Sequence, residues 1–216
     1  MKTKVFLMSI LFTFASFILP ANDGKYIEVM KKNIKLIYEA RETAQIQEAV
    51  NGFIRIAGVE KEKWEPLYYI AYGNIMMANM EKDGAKKDAY LDVALEHVLK
   101  AKALRPNESE LFALEGFIFM LRVTVDPQSR GPVHAPTAMK AFGKALELNP
   151  SNPRALALMA QMEFGTARFF NSSTDAACST AEKAVQTFKD AKPENELSPV
   201  WGSKMAEALA GQCEQK

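Results

Sequence analysis

Reactive side chains are scarce in this chain. It has two histidines, His97 and His134, and two cysteines, Cys178 and Cys213. His134 lies in the stretch 126–136 together with Asp126 and Arg130. Stretches of that kind do carry catalytic groups, so an enzyme centred on His134 is one hypothesis. No Gly-x-Ser-x-Gly, His-Glu-x-x-His, phosphate-loop or Gly-x-Gly-x-x-Gly motif accompanies it. His97 falls within a helical pattern, where a packed or surface role is the plain expectation. Two histidines far apart in sequence, without Cys-x-x-Cys, do not make a zinc set. The acidic residues are scattered, and no pair of them stands out as an acid–base dyad. The chain is therefore expected to be no enzyme and to need no cofactor or metal.

The elements that would position these groups are helices. Residues 138–150 carry small or apolar side chains at 138, 141, 142, 145, 146 and 148 and stop at Asn149-Pro150, the spacing of an amphipathic helix. Ala94, Val98, Ala101 and Pro106 stand 44 residues before Ala138, Phe142, Ala145 and Pro150. A period in the forties is the signature of a helical solenoid.

The pattern Ala-x3-Phe-x2-Ala-x4-Pro over 138–150 resembles the second helix of a tetratricopeptide repeat (TPR). In that family the alanines let paired helices approach closely, the aromatic fills the space beside them, and the proline turns the chain into the next repeat. The match recurs at Ala94–Pro106 and, without its proline, at Ala177, Ala181 and Ala184. Leu67 to Met77 resembles a first helix with Gly73 at the close-contact position; 111–121 and 156–164 are its counterparts. Residues 25–40 and 43–58 read as a degenerate first pair, with Thr43 as N-cap. Ser198-Pro199-Val200-Trp201 is expected to cap a final helix through Leu209, because an open last repeat would expose its apolar face. The expected fold is all-α, a TPR-like superhelix of four helix pairs plus a C-terminal capping helix. Trp64 to Tyr69 and Pro199 to Gly202 further resemble a group of exported bacterial TPR proteins.

Within each repeat the chain is longer than the family pattern. The resemblance implies about twelve residues from the close-contact position to the first alanine of the second helix. Gly73 to Ala94 is 21, Glu115 to Ala138 is 23 and Ala160 to Ala177 is 17. The excess falls at the turn inside each repeat, as loops along one edge or as longer helices. Three prolines in 126–136 imply irregular structure there.

Before the first helix, Met1–Lys4 is basic, Val5–Leu19 is apolar, and Pro20-Ala21 gives way to polar residues. This is the layout of a secretory signal peptide, expected to span 1–21 and to leave 22–216 as one helical domain. The protein is expected to be exported, to the periplasm first and by secretion otherwise, with no stable membrane span in the mature chain. Losing Lys2 and Lys4 leaves 25 of the 27 basic residues against 26 acidic ones, a balance that gives nucleic acid no electrostatic hold. Outside the cytoplasm the two cysteines can pair or stay free. Cys178 lies near the start of one expected helix and Cys213 at the end of the next, ends that antiparallel packing brings side by side.

The resemblance also implies where binding would occur. TPR domains bind along the concave groove of their first helices. Counting Tyr69, Leu111 and Leu156 as the fourth residue of each repeat puts Ile70, Asn74, Met77, Phe112, Phe119, Arg154, Gln161 and Phe164 in that groove, with Gly116 and Ala157. The places of the family's carboxylate clamp hold Ile70, Asn74, Ala113, Arg154 and Leu158, of which only Asn74 and Arg154 fit. The expected function is an exported, non-enzymatic scaffold for protein–protein or protein–peptide interaction in the cell envelope. The alternative is a carrier of a small apolar ligand in the concave groove. Either way the groove is open or covered by the capping helix, and partner identity and oligomeric state stay outside the sequence.

Overall fold

The computed structural model describes residues 21–214, so residues 1–20 of the expected leader lie outside the described part. Among the described residues nine helices follow one another: α1 (Ala21–Glu39), α2 (Thr43–Val59), α3 (Glu65–Met80), α4 (Gly84–Leu104), α5 (Ser109–Val123), α6 (Pro127–Leu148), α7 (Pro153–Phe169), α8 (Asp175–Asp190) and α9 (Ser203–Cys213). They form an all-α, TPR-like solenoid of four antiparallel pairs closed by α9.

Local chemistry starts and stops these helices. Asp83 caps α4 by accepting from the Lys86 N–H at 2.9 Å, and Asn152 caps α7 by accepting from Arg154 and Ala155 at 3.0 Å. Pro66, Pro127 and Pro153 sit in first turns, where a missing N–H costs no helical bond. The N-cap of α2 is Glu42, not Thr43. The Gln45 side-chain oxygen reaches back to the N–H groups of Arg41 and Glu42, at 2.7 and 3.2 Å, which sets the helix start one residue early.

Two further sequence expectations are corrected, and one open alternative is decided. Residues 127–136 are helical, and Pro132 and Pro136 lie inside α6. Each proline removes one hydrogen bond, at the carbonyls of Gln128 and Pro132. Both prolines and Gln128 lie at the surface, so water replaces the lost partners, while Arg130 ties the segment to Asp88 on α4 at 2.8 Å. Accordingly, the extra residues within the first two complete repeats extend α4 and α6 rather than forming edge loops. The last correction concerns α9, which begins at Ser203; Gly202, at φ +110°, makes the turn into it, and 191–202 forms an irregular strap with a turn at 195–198.

α1, α3, α5 and α7 form an inner row and α2, α4, α6 and α8 an outer row. Neighbours in the inner row touch from α1 through α7, whereas α2, α4 and α6 do not touch one another. The repeat alanines Ala94, Ala101, Ala138, Ala145 and Ala184 are fully buried between the rows. Phe142 lies flat against Gly116, where any Cβ would meet its ring. Gly73 is pressed in the same way against Val50 of α2.

Candidate functional site

Two surfaces have the shape to bind. The first is the inner face, largely covered by the chain itself, with a cavity of about 420 Å³ left between the strap and the starts of α3, α5 and α7. The strap leaves α8, crosses α7, α5 and α3, and reaches α1. Trp201 stacks on Tyr72 of α3 and Phe117 of α5, with ring centroids 5.2 and 5.9 Å away. Its Nε1 donates to the Tyr68 hydroxyl at 2.9 Å, and the Tyr69 hydroxyl donates to the Leu197 carbonyl at 2.8 Å. The Val200 N–H donates to the Tyr38 hydroxyl at 3.3 Å. Burial holds the phenols of Tyr38, Tyr68 and Tyr69 above the usual tyrosine range, so they stay protonated hydrogen-bonding groups.

Beneath the strap, Arg154 makes a bidentate pair with Glu110: Nε to Oε2 at 2.7 Å and Nη2 to Oε1 at 2.9 Å. Nη1 reaches the Trp201 carbonyl at 3.4 Å, and the guanidinium also faces the rings of Trp201 and Phe188. Cys178 and Cys213 are disulfide-bonded, with Cα atoms 5.7 Å apart. This bond ties the end of α9 to the start of α8 and closes the loop that contains the strap.

The groove residues expected from the sequence separate into two groups. Arg154 lies on the inner face; Gln161, two helical turns further along α7, shares it. Phe164 packs beside Ala160, Ala181 and Leu209, where α9 covers it. Ile70, Asn74, Phe112 and Phe119 sit on the opposite side, toward the outer row, and Met77 is buried in the core. The correction is one of register. The residues on the strap are Tyr72 and Phe117, which makes Leu67, Phe112 and Leu156 the equivalent positions. Counting from Tyr69 and Leu111 shifts α3 by two residues and α5 by one, and each residue turns a helix face by about 100°. The 44-residue period carried this signal, since it pairs Leu156 with Phe112. The strap itself was missed: no periodicity marks it, and only Leu197, Pro199 and Trp201 stand out from a polar stretch.

His134 lies on α6 rather than in a loop, with its ring 5.9 Å from Phe119. Burial first, then the charges of Arg122 and Arg130, hold its pKa below the usual histidine value. Asp126 is engaged with Ser129 and stays apart, whereas Arg130, paired with Asp88, lies near enough to His134 to act on it by charge. Among the described residues no cluster of His, Cys, Asp or Glu is placed to hold a metal ion.

The second surface is a groove on the outer side. It is floored by Ile70 and Asn74 of α3 and walled by Gln47, Val50 and Ile54 of α2 and Lys86, Ala89, Tyr90 and Val93 of α4, with a volume of about 470 Å³. Ile54 and Val93 leave 48 % and 40 % of their surface exposed along its rim. The groove exists because of one substitution between repeats. Aligning Tyr72 with Phe117 pairs Asn74 with Phe119. Between α4 and α6, Phe119 packs on His134 and Phe112 lies 3.7 Å beneath the Lys102 ammonium, so side chains occupy that gap. Between α2 and α4, Asn74 is shorter and its amide turns back to the Ile70 carbonyl at 2.9 Å. The space is left open.

No known family's sequence model matches the chain, and no curated protein matches it. Among solved structures it is similar to the HusA haemophore from Porphyromonas gingivalis, with 30 % identity and a TM-score of 0.79, over 88 % of this chain and 93 % of that one. The chain belongs to the TPR-like family of that haemophore. It is also similar to a thermophilic TPR protein from Thermus thermophilus, with 12 % identity and a TM-score of 0.53, over 89 % and 93 % of the two chains. That likeness is one of fold alone. Membership of the haemophore family makes the chain a helical binding scaffold, and the outer groove is the more apolar of two open concavities of ligand size, the other lying beside the strap. Among the described residues no helix is long and apolar enough to cross a membrane.

Proposed function

We propose that this protein is an exported, non-enzymatic carrier of a flat apolar ligand of the porphyrin type, held in the outer groove between α2 and α4. One observation carries the reading. In a chain of the haemophore's family, the open groove has apolar walls, Val50, Ile54, Ile70 and Val93, and a volume within the range of small-molecule sites. Each 100 Å² of apolar surface buried there contributes ~2.5 kcal/mol to binding. Titrating haem into the mature protein and following its absorbance tests the reading. Wild type is expected to saturate at one site, and Ile54→Glu, an exposed change at the groove rim, to weaken binding severely. A wild-type protein that leaves the haem spectrum unchanged sinks the proposal.

A second reading rests on the strap. The inner face binds a non-helical segment in cis, so it has the chemistry to bind one from a partner once 191–202 leaves. Affinity purification of the mature protein from its host's envelope distinguishes the two: a stoichiometric protein partner favours the scaffold, a co-purified pigment the carrier. Export, supported by the Cys178–Cys213 disulfide, is tested by N-terminal sequencing. Processing near Ala21 is expected, and a chain still starting at Met1 overturns it.

A further inference from the structure

The groove holds one charge. Of its lining residues, Lys86 is the one basic or acidic side chain; the others are apolar, amides or the phenol of Tyr90. The Lys86 backbone N–H is bound by Asp83, but its ammonium forms no ion pair among the described residues. Several other lysines find partners: Lys102 pairs with Glu115 at 2.8 Å, Lys100 with Glu96 and Lys144 with Glu147. Acids near Lys86 are hydrogen-bonded to other groups, although Glu81 lies close enough to feel the Lys86 charge. The Glu81 carboxylate accepts from the N–H groups of Lys82 and Asp83 at 2.8 and 2.9 Å, and Asp83 caps α4. From α2 and α3 the groove receives only the neutral Gln47 and Asn74 as polar groups.

We infer that Lys86 is the specificity-determining residue of this groove, binding a carboxylate at the edge of a ligand whose flat body lies on Val50, Ile54 and Val93. The inference rests on the carrier reading above and narrows its ligand to an amphiphilic acid. An exposed ammonium with no direct ion pair, beside apolar walls, matches a ligand that joins an anionic edge to an apolar face. Lys86 contributes little to a neutral ligand of the same shape, because its head remains in water. Against a carboxylate it forms a charge-assisted hydrogen bond, which a neutral ligand cannot offer.

The probes are metal-free protoporphyrin IX, which carries two carboxylates, and its dimethyl ester, which has the same macrocycle and no charge. Fluorescence titration of wild type is expected to show the diacid bound roughly three- to tenfold more tightly, a preference that shrinks at high salt. Lys86→Gln should abolish the preference by weakening the diacid alone, and Lys86→Arg should retain it. Circular dichroism of both variants checks that the exposed substitution leaves the fold intact. Equal binding of diacid and ester by wild type, or a Lys86→Gln protein that keeps the preference or loses both ligands alike, overturns the role of Lys86 while the carrier reading stands. Failure of wild type to bind either porphyrin overturns the carrier reading itself, and the inference with it.

Discussion

The indole N–H of Trp201 donates to the hydroxyl of Tyr68 at 2.9 Å, across 133 residues of sequence. This bond, with the stacking on Tyr72 and Phe117, holds the strap on the inner face. Trp201→Ala removes both the aromatic contact area and the donor that Tyr68 accepts from. Folding stability should fall by about 3 kcal/mol, at the low end for a large aromatic because Trp201 is only partly buried. Urea denaturation measures the loss. Hydrogen exchange should show the amides of 195–202 released while α2 and α4 stay protected.

Breaking the disulfide should act on the same region by a different route. The bond spans 35 residues, and in the chain-entropy account closing such a loop stabilises the folded state by ~3–4 kcal/mol. Cys213→Ser should lower stability by that order and loosen the strap and α9 before any other helix. Thiol titration of the unreduced, denatured mature protein checks the premise. Two reactive thiols per chain would mean that the bond does not form.

The contact of Gly116 with Phe142 gives a paired test of close packing. Phe142 is fully buried and cannot swing away, so Gly116→Ala should cost about 1–3 kcal/mol. Gly143, next to Phe142 on the same helix, faces open space. Gly143→Ala should stabilise the protein by about 0.5–1 kcal/mol through helix propensity. If the two substitutions have the same sign, the close pairing of α5 with α6 is wrong.

Glu108 predicts a pH effect. Burial first, then the charge of Glu110, raise its pKa above the usual carboxylate value, although its oxygen still accepts from the Glu110 N–H at 3.2 Å. A raised pKa means that the folded protein holds this proton more tightly than the unfolded chain. Its contribution is therefore fully present below the ordinary glutamate pKa of about 4.3 and is lost as pH rises through the folded value. Glu108→Gln keeps an acceptor and stays neutral. It should raise stability at pH 7 relative to wild type, and the difference should vanish at about pH 4. Chemical denaturation at the two pH values measures it, and equal stability at pH 7 would refute the assignment.

What the sequence determined by itself were the local features. Helices form where apolar residues recur at helical spacing, and Ala94, Ala101, Ala138 and Ala145 mark the faces that meet because only small side chains allow that approach. Asn149-Pro150 and the first-turn prolines set helix ends by removing donors, which needs no tertiary partner. The proximity of Cys178 and Cys213 followed from antiparallel order alone. The tertiary structure decided what depends on rotation and on distant chain. At about 100° per residue, a shift of one position on α5 carries Phe112 and Phe119 away from the inner face. The 44-residue period carried that register, but only the packed neighbours showed which side chains reach the strap. Pro132 and Pro136 entered a helix because their freed carbonyls happen to face water, a fact of burial rather than of composition. The strap had no period to read: Leu197 and Trp201 are held by Tyr68, Tyr69, Tyr72 and Phe117, side chains on helices far upstream. The open groove, in turn, exists because Asn74 stands where the next repeat has Phe119, a difference with meaning only once α2, α3 and α4 are assembled.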